Sequence, residues 1–176
     1  APNEATVNLN AYKLMDGMRA GGYTFALYEA DSNWQPVGEP IDTKVSSSGG
    51  IASFDVLSYG PEDTGDHRYV IAEVVENPDP TIEYDTDLER VTVTVSDDGA
   101  GNMSAVAGYH VDGGTFRNNT KPGSLKLTKN IVNPTMVSAE QEFTFRITFF
   151  DRQGNPAVLR QAGEEVTSLR GMIADE

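Results

Sequence analysis

Turn-forming clusters punctuate the first 121 residues at short intervals, and their spacing limits what this chain can fold into. They are "MDGMRAGG" at 15–22, "SSSGG" at 46–50, "GPEDTGD" at 60–66, "NPDP" at 77–80, "DDGAGN" at 97–102 and "DGG" at 112–114. Glycine supplies the positive φ that tight turns demand, while Asp, Asn and Ser hydrogen-bond their neighbouring backbone. Between the turns lie runs rich in Val, Ile, Thr, Tyr and Phe: "YTFALYEA", "IASFDVL", "RYVIAEVVE", "RVTVTVS", "MSAVAGYHV" and "TFRNNT". No amphipathic helical period is legible there. Short strands so spaced predict an all-β fold, an antiparallel sandwich.

A chain of 176 residues with 38% apolar content can bury one good core, or one core and part of a second. Laying "NLNAYKLMDGMRAGGYTFALYEADSNWQPV" (8–37) beside "SLKLTKNIVNPTMVSAEQEFTFRITFFDRQGNPAV" (124–158) shows a common plan. Each begins as a strand ending in lysine, crosses a polar stretch, and enters an aromatic strand (Tyr23, Phe25 and Leu27; Phe143, Phe145 and Ile147) before a polar turn. The expectation is a β-sandwich over 1–121, a junction at "NTKPG", and an incomplete second module or extension over 122–176. The tail "LRQAGEEVTSLRGMIADE" fits a helix or a poorly packed segment equally well.

Charge divides the chain in the same place. Residues 1–121 carry 7 basic and 20 acidic side chains (−13) and residues 122–176 carry 6 and 7 (−1), which sum to the net −14. So acidic a surface repels phosphate backbones and anionic membranes, which argues against nucleic-acid or lipid partners. There is no cysteine, so neither a disulfide framework nor a thiol nucleophile is available. No run approaches the length of a membrane span, and "APNEA" lacks the basic-then-apolar pattern of an export signal. These features predict a soluble chain with no membrane insertion, any export signal having been removed or never included.

Three polar residues break the strand patterning. In "TVNLNAYKLMDG", Val7, Leu9 and Ala11 share one face of an extended chain, and the next residue on that face is Lys13. In "YVIAEVV", Tyr69, Ile71, Glu73 and Val75 alternate with Val70, Ala72 and Val74; both faces are apolar, so this is a central strand and Glu73 is buried. In "GTFRNNT", Asn118 points the same way as Phe116, and Asn119 points the opposite way. Taken singly, each has an ordinary explanation: a lysine snorkels to solvent, and a buried Glu or Asn is a hydrogen-bonded core group. Together they must meet, because an isolated buried charge costs more than a domain's net stability.

Two readings satisfy that need. One is a plain Lys13–Glu73 salt bridge with Asn118 adding a hydrogen bond. The other is covalent. Burial disfavours both charges, so the pair can share one proton as neutral amine and neutral acid, and a neutral amine is a nucleophile. Against the Asn118 side-chain carbonyl it forms an amide and expels ammonia, while Glu73 polarises the carbonyl oxygen and moves the protons.

These residues resemble the isopeptide-linkage domains of Gram-positive surface pilins, relatives of the Cna B-type modules of collagen adhesins. The likeness covers residues 6–121 and rests on "AYKLMDG" before "YTFALYEAD", then "YVIAEV", "IEYDTDLERVTVTVSDDG" and the closing "TFRN". It implies a reversed immunoglobulin-like sandwich whose first and last strands are neighbours. It also implies a bond between Lys13 and Asn118, with Glu73 as its catalyst and Asn119 as the poorer alternative. Lys129 would hold the lysine position of the second module. It would stay unlinked, since residues 130–176 contain neither a Tyr-x-Ile-x-Glu strand nor a Phe-x-Asn terminus. The implied setting is the cell surface of a Gram-positive bacterium, with other modules or pilus subunits as partners and host matrix protein or glycan as a further class.

The remaining motifs add little. His67 and His110 show no metal-ligand spacing, "DDGAGN" is a hairpin turn rather than a calcium loop, and "PEDTGD" is at most a weak calcium holder. No phosphate loop, dinucleotide fingerprint or nucleophile elbow is present, so neither a cofactor nor a metal is expected. Trp34, in "DSNWQPVG", reads as a surface contact. Two other functions stay open: a sandwich that binds host protein or glycan through its loops without a cross-link, and a glycoside hydrolase using Glu73 with a second carboxylate.

Overall fold

The computed structural model describes residues 4–121 continuously and, beyond them, 132, 142, 144–150, 153–157, 160–161 and 164–165. The chain divides into two compact units, Ala1–Leu125 and Lys126–Glu176.

The first unit is all-β. Its strands are β1 (Ala5–Val7), β2 (Asn10–Met15), β3 (Met18–Arg19), β4 (Thr24–Ala30), β5 (Pro36–Val45), β6 (Ile51–Ser53), β7 (Leu57–Tyr59), β8 (Gly65–Val74), β9 (Ile82–Glu83), β10 (Glu89–Asp97), β11 (Met103–Tyr109) and β12 (Thr115–Thr120). One sheet runs β11-β10-β8-β4-β5, and the other runs β3-β2-β12-β9 with β6 also on β2; β1 pairs with β7. The partners in the five-stranded sheet are antiparallel. β2 and β12, far apart in sequence, lie side by side in parallel.

Local sequence accounts for these elements. "RVTVTVS" alternates with period two, and β10 accordingly buries Val91, Val93 and Val95 while turning Arg90, Thr92 and Thr94 outward. It returns as β11 through a tight turn in which the Asp97 and Asp98 carboxylates accept from the Gly99 and Ala100 N–H groups. "YVIAEVV" is central as expected: β8 pairs with β10 on one side and β4 on the other, and Tyr69, Val70 and Ile71 are all buried. The run "IASFDVL" forms two strands, because β6 leaves for β2 and β7 leaves for β1.

The inner faces interdigitate in one core. Leu9, Ala11, Ala52, Phe54 and Phe116 meet Phe25, Leu27, Ile71, Val91 and Val93, and the Phe25 and Phe116 rings are tilted with centroids 5.0 Å apart. Such a pair adds about 0.5–1.5 kcal/mol to the burial of its area. This stacking fixes the distance between β4 and β12 beside the three polar residues.

In the second unit the described strands are two short hairpins, β13 (Phe149–Phe150) with β14 (Pro156–Ala157) and β15 (Arg160–Gln161) with β16 (Glu164–Glu165). Residues 144–148, expected within an aromatic strand, lie outside any strand, with Phe145 and Ile147 exposed. Lys129, Phe143 and the end of the tail lie outside the described residues.

Candidate functional site

Lys13 continues the inward face of β2 after Leu9 and Ala11, and its neighbour across the parallel ladder is Phe116. Its N–H donates to the Gly50 carbonyl at 2.7 Å. Gly50 has φ +74, and a Cβ there would lie 2.7 Å from the Lys13 carbonyl oxygen, so only glycine lets the two backbones approach so closely. Glu73 projects from β8 on the same face as Tyr69 and Ile71, with Phe25 opposite it on β4. Asn118 is two residues beyond Phe116 on the inner face of β12.

The three side chains converge. Lys13 Nζ donates to Glu73 Oε2 at 2.7 Å, and Asn118 Nδ2 donates to Glu73 Oε1 at 2.8 Å. One carboxylate therefore bridges the amine and the amide. Lys13 and Asn118 are 0% exposed, and the Glu73 side chain is 1% exposed. The ammonium also lies 4.7 Å from the centroid of the Tyr23 ring. Asn119 is exposed and faces β9, opposite Glu83, so it takes no part.

Burial is the largest influence on the Lys13 amine and pulls its pKa below the ordinary lysine value. The hydrogen bond and charge of Glu73, and then the charge of Asp85, pull it back only in part. The site thus favours the neutral amine more than water does.

Asp85 is the residue that sequence reasoning missed. Its backbone N–H donates to Asn118 Oδ1 at 2.8 Å, and its carboxylate Oδ2 accepts from the Arg117 N–H at 2.9 Å. It straddles β12 at the target residue. The contact expected from Glu73 to the amide oxygen is therefore made by the Asp85 main chain, while Glu73 holds the amide nitrogen. A flipped Asn118 amide would set donor against donor at Asp85 and acceptor against acceptor at Glu73, so the two bonds fix its orientation together.

Asp16 grips the same strand from the β2–β3 turn. Its N–H donates to the Asn118 carbonyl at 2.9 Å, and its two carboxylate oxygens accept the Thr120 N–H and hydroxyl at 2.7 Å each. Those bonds, the hydroxyl's foremost, hold the Asp16 carboxyl below its ordinary pKa. These bonds hold the backbone of β12 at Asn118, while the side-chain amide is held by the Asp85 N–H and the Glu73 carboxylate.

Among the described residues, no three His, Asp or Glu side chains converge as a metal site. The depression beside Glu73, lined by Tyr23, Thr24, Val74 and Tyr84, is shallow and open. No helix among the described residues is long and apolar enough to cross a membrane.

The two-sheet fold thus sets β2 beside the closing strand β12 and buries a lysine, a glutamate and an asparagine together between the sheets. The chain belongs to the FctA family, described as the Spy0128-like isopeptide containing domain, whose pattern matches residues 9–121. Among solved structures, three of the major pilin from Streptococcus pyogenes are similar, two of them single-residue variants. One variant has 14% identity over 67% of this chain and 51% of that chain with a TM-score of 0.40. The parent pilin has 13% identity over the same shares, with a TM-score of 0.38. The other variant has 14% identity and a TM-score of 0.36. This chain therefore spans about half the length of those pilin chains. No curated protein sequence matches it.

Proposed function

We propose that this is a structural domain of a pilus or other surface protein of a Gram-positive bacterium, locked by an amide bond between Lys13 Nζ and Asn118 Cγ that Glu73 promotes. The observation that carries this reading is the bridging carboxylate, with one oxygen on the amine and the other on the amide.

The reaction follows from that arrangement. The ammonium of Lys13 gives a proton to Glu73, and the neutral amine attacks Cγ of Asn118. The N–H of Asp85 stabilises the negative charge that develops on Oδ1, the role of an oxyanion-hole donor. Glu73 passes the first proton to Nδ2 and takes the second from the attacking amine, the Cγ–Nδ2 bond breaks, and ammonia leaves. One amide has replaced another, and Glu73 keeps one proton. The protein turns over once, on itself, and needs no cofactor.

A plain salt bridge is the weaker explanation. Removing two charges from water costs several kcal/mol per ion, and such pairs are often no more stable than apolar replacements. A hydrolase is weaker still, since Glu73 has both oxygens engaged and a side chain closed to solvent.

Residues 122–176 are proposed to begin a second module of the same kind, with Lys129 unlinked in this stretch. Other pilus subunits or modules are the proposed partners. Protease digestion followed by tandem mass spectrometry tests the bond: a branched peptide joining the Lys13 and Asn118 segments is expected, and is expected to be missing from Glu73→Ala. Recovery of the two segments only as separate linear peptides from the parent protein would refute it.

A further inference from the structure

The turn between β4 and β5 carries the single tryptophan of the chain in a conformation that tryptophan seldom adopts. Trp34 has φ +61, in the left-handed region where a side chain other than Gly, Asn or Asp is strained. Its backbone is locked there: the Asp31 carboxylate accepts from the N–H groups of Asn33 and Gln35, and the Trp34 N–H donates to the Asp31 carbonyl at 3.0 Å. Strain held this firmly at an exposed turn is a feature of functional sites.

The ring meets Arg68 of β8 at 5.6 Å, Arg90 of β10 at 5.7 Å and the His110 ring edge-on at 4.6 Å. Arg68 faces Thr92 across the ladder and Arg90 faces Val70, so both arginines stand on the outer face of the same sheet, away from the core. They therefore approach the indole from the sheet side, and Trp34 is half-buried.

These two arginines are among only 7 basic residues in a region of charge −13. Neither has a carboxylate within ion-pair distance among the described residues. The carboxylates of the neighbouring turn and strand are engaged with neutral donors, Asp31 as above and Asp66 with the Thr94 hydroxyl. A shallow depression continues from the cluster along β10 and β11, lined by Thr92, Thr94, Gly108 and His110.

From this we infer a ligand site for an acidic sugar, a pyranose bearing a single carboxylate, formed by Trp34, Arg68, Arg90 and His110. A flat aromatic side chain suits the C–H face of a pyranose, two guanidinium groups suit one carboxylate, and the hydroxyl oxygens of Thr92 and Thr94, bonded to His110 and Asp66, keep capacity to accept from ring hydroxyls. Charge narrows the class further. An isolated cationic patch on a chain of net −14 accepts one negative group but repels a densely sulfated or phosphorylated polymer. The site lies on the opposite face of β8 from Glu73 and does not depend on the cross-link.

Because Trp34 is the only tryptophan, its fluorescence reports the site directly. The full chain is titrated with methyl glucuronide, with methyl glucoside and sodium acetate as separate controls. A saturable change with the glucuronide, at least about tenfold weaker with either control and lost in Arg68→Gln/Arg90→Gln, is expected. No saturable change, an equal response to glucoside or to acetate, or an unchanged response in a folded double variant would each overturn the inference. Amide chemical-shift changes confined to residues around Trp34 and His110 give a second readout, which must follow the same pattern.

Discussion

Lys13 is tolerable in a core only because the residues beside it can absorb its charge, and each contributes differently to that end. In the proposed reaction Glu73 moves the protons. Glu73→Gln keeps the shape of the side chain but removes the base, so it should leave the protein at its full unmodified mass, as Glu73→Ala should. In the same proposal Asp85 acts on the carbonyl through the N–H that it donates to Asn118 Oδ1. Asp85→Pro should slow bond formation during refolding by roughly 10²–10³-fold, the usual effect of deleting one oxyanion donor. Asp85→Ala keeps the N–H and should stay closer to the parent; equal rates for the two variants would remove the main-chain donor from the mechanism. The lowered pKa of Lys13 adds a pH signature to an unlinked form such as Asn118→Ala. The unfolded state binds a proton more readily at Lys13 than the folded state does, so stability should rise with pH from the folded-state pKa towards 10.5, the unfolded reference value. Lys13→Met/Asn118→Ala should lack that component, and urea titrations across this range would show the difference. Lys13, Glu73 and Asn118 were legible in the sequence because a period of two assigns every strand residue to a face. Asp85 was not, because a main-chain N–H has no side-chain signature.

At the scale of elements, the site depends on β2 and β12 lying side by side under β8 and β4. Phe116, fully buried, opposite Lys13 across the ladder and two residues before Asn118, sets that packing against Phe25. Phe116→Ala in the unlinked Asn118→Ala background should cost about 3–5 kcal/mol in denaturant titration, as large core truncations do. A loss under about 1 kcal/mol would mean that the aromatic pair does not position β12. The central strand β8, the valine-rich β10 and the closing β12 could all be read from alternation. β5 could not: "PVGEPIDTKV" has two prolines and places Val37, Ile41 and Val45 at exposed positions. It is an edge strand, paired only with β4, and an edge needs no buried face to mark it in the sequence. The residues of Trp34's cluster were invisible for a related reason, since Arg68, Arg90 and His110 are adjacent only across the ladder.

For the whole first unit, a bond between β2 and β12 closes a loop containing nearly all of its strands. By analogy with a disulfide closing a loop of that length, its loss in Lys13→Ala should lower stability by about 5 kcal/mol. Single-molecule extension should show the parent releasing none of the chain between Lys13 and Asn118, whereas Lys13→Ala should release it. The unequal charge and the partial repeat lead to an expected boundary near residue 121, and the first compact unit runs to Leu125. The sandwich and its family were thus visible in the sequence through short motifs kept in order. All of this rests on whether the amide forms. The mass of the intact, denatured protein decides it: a value below that of the sequence by one ammonia is expected, and the full mass of the unmodified chain would contradict the account.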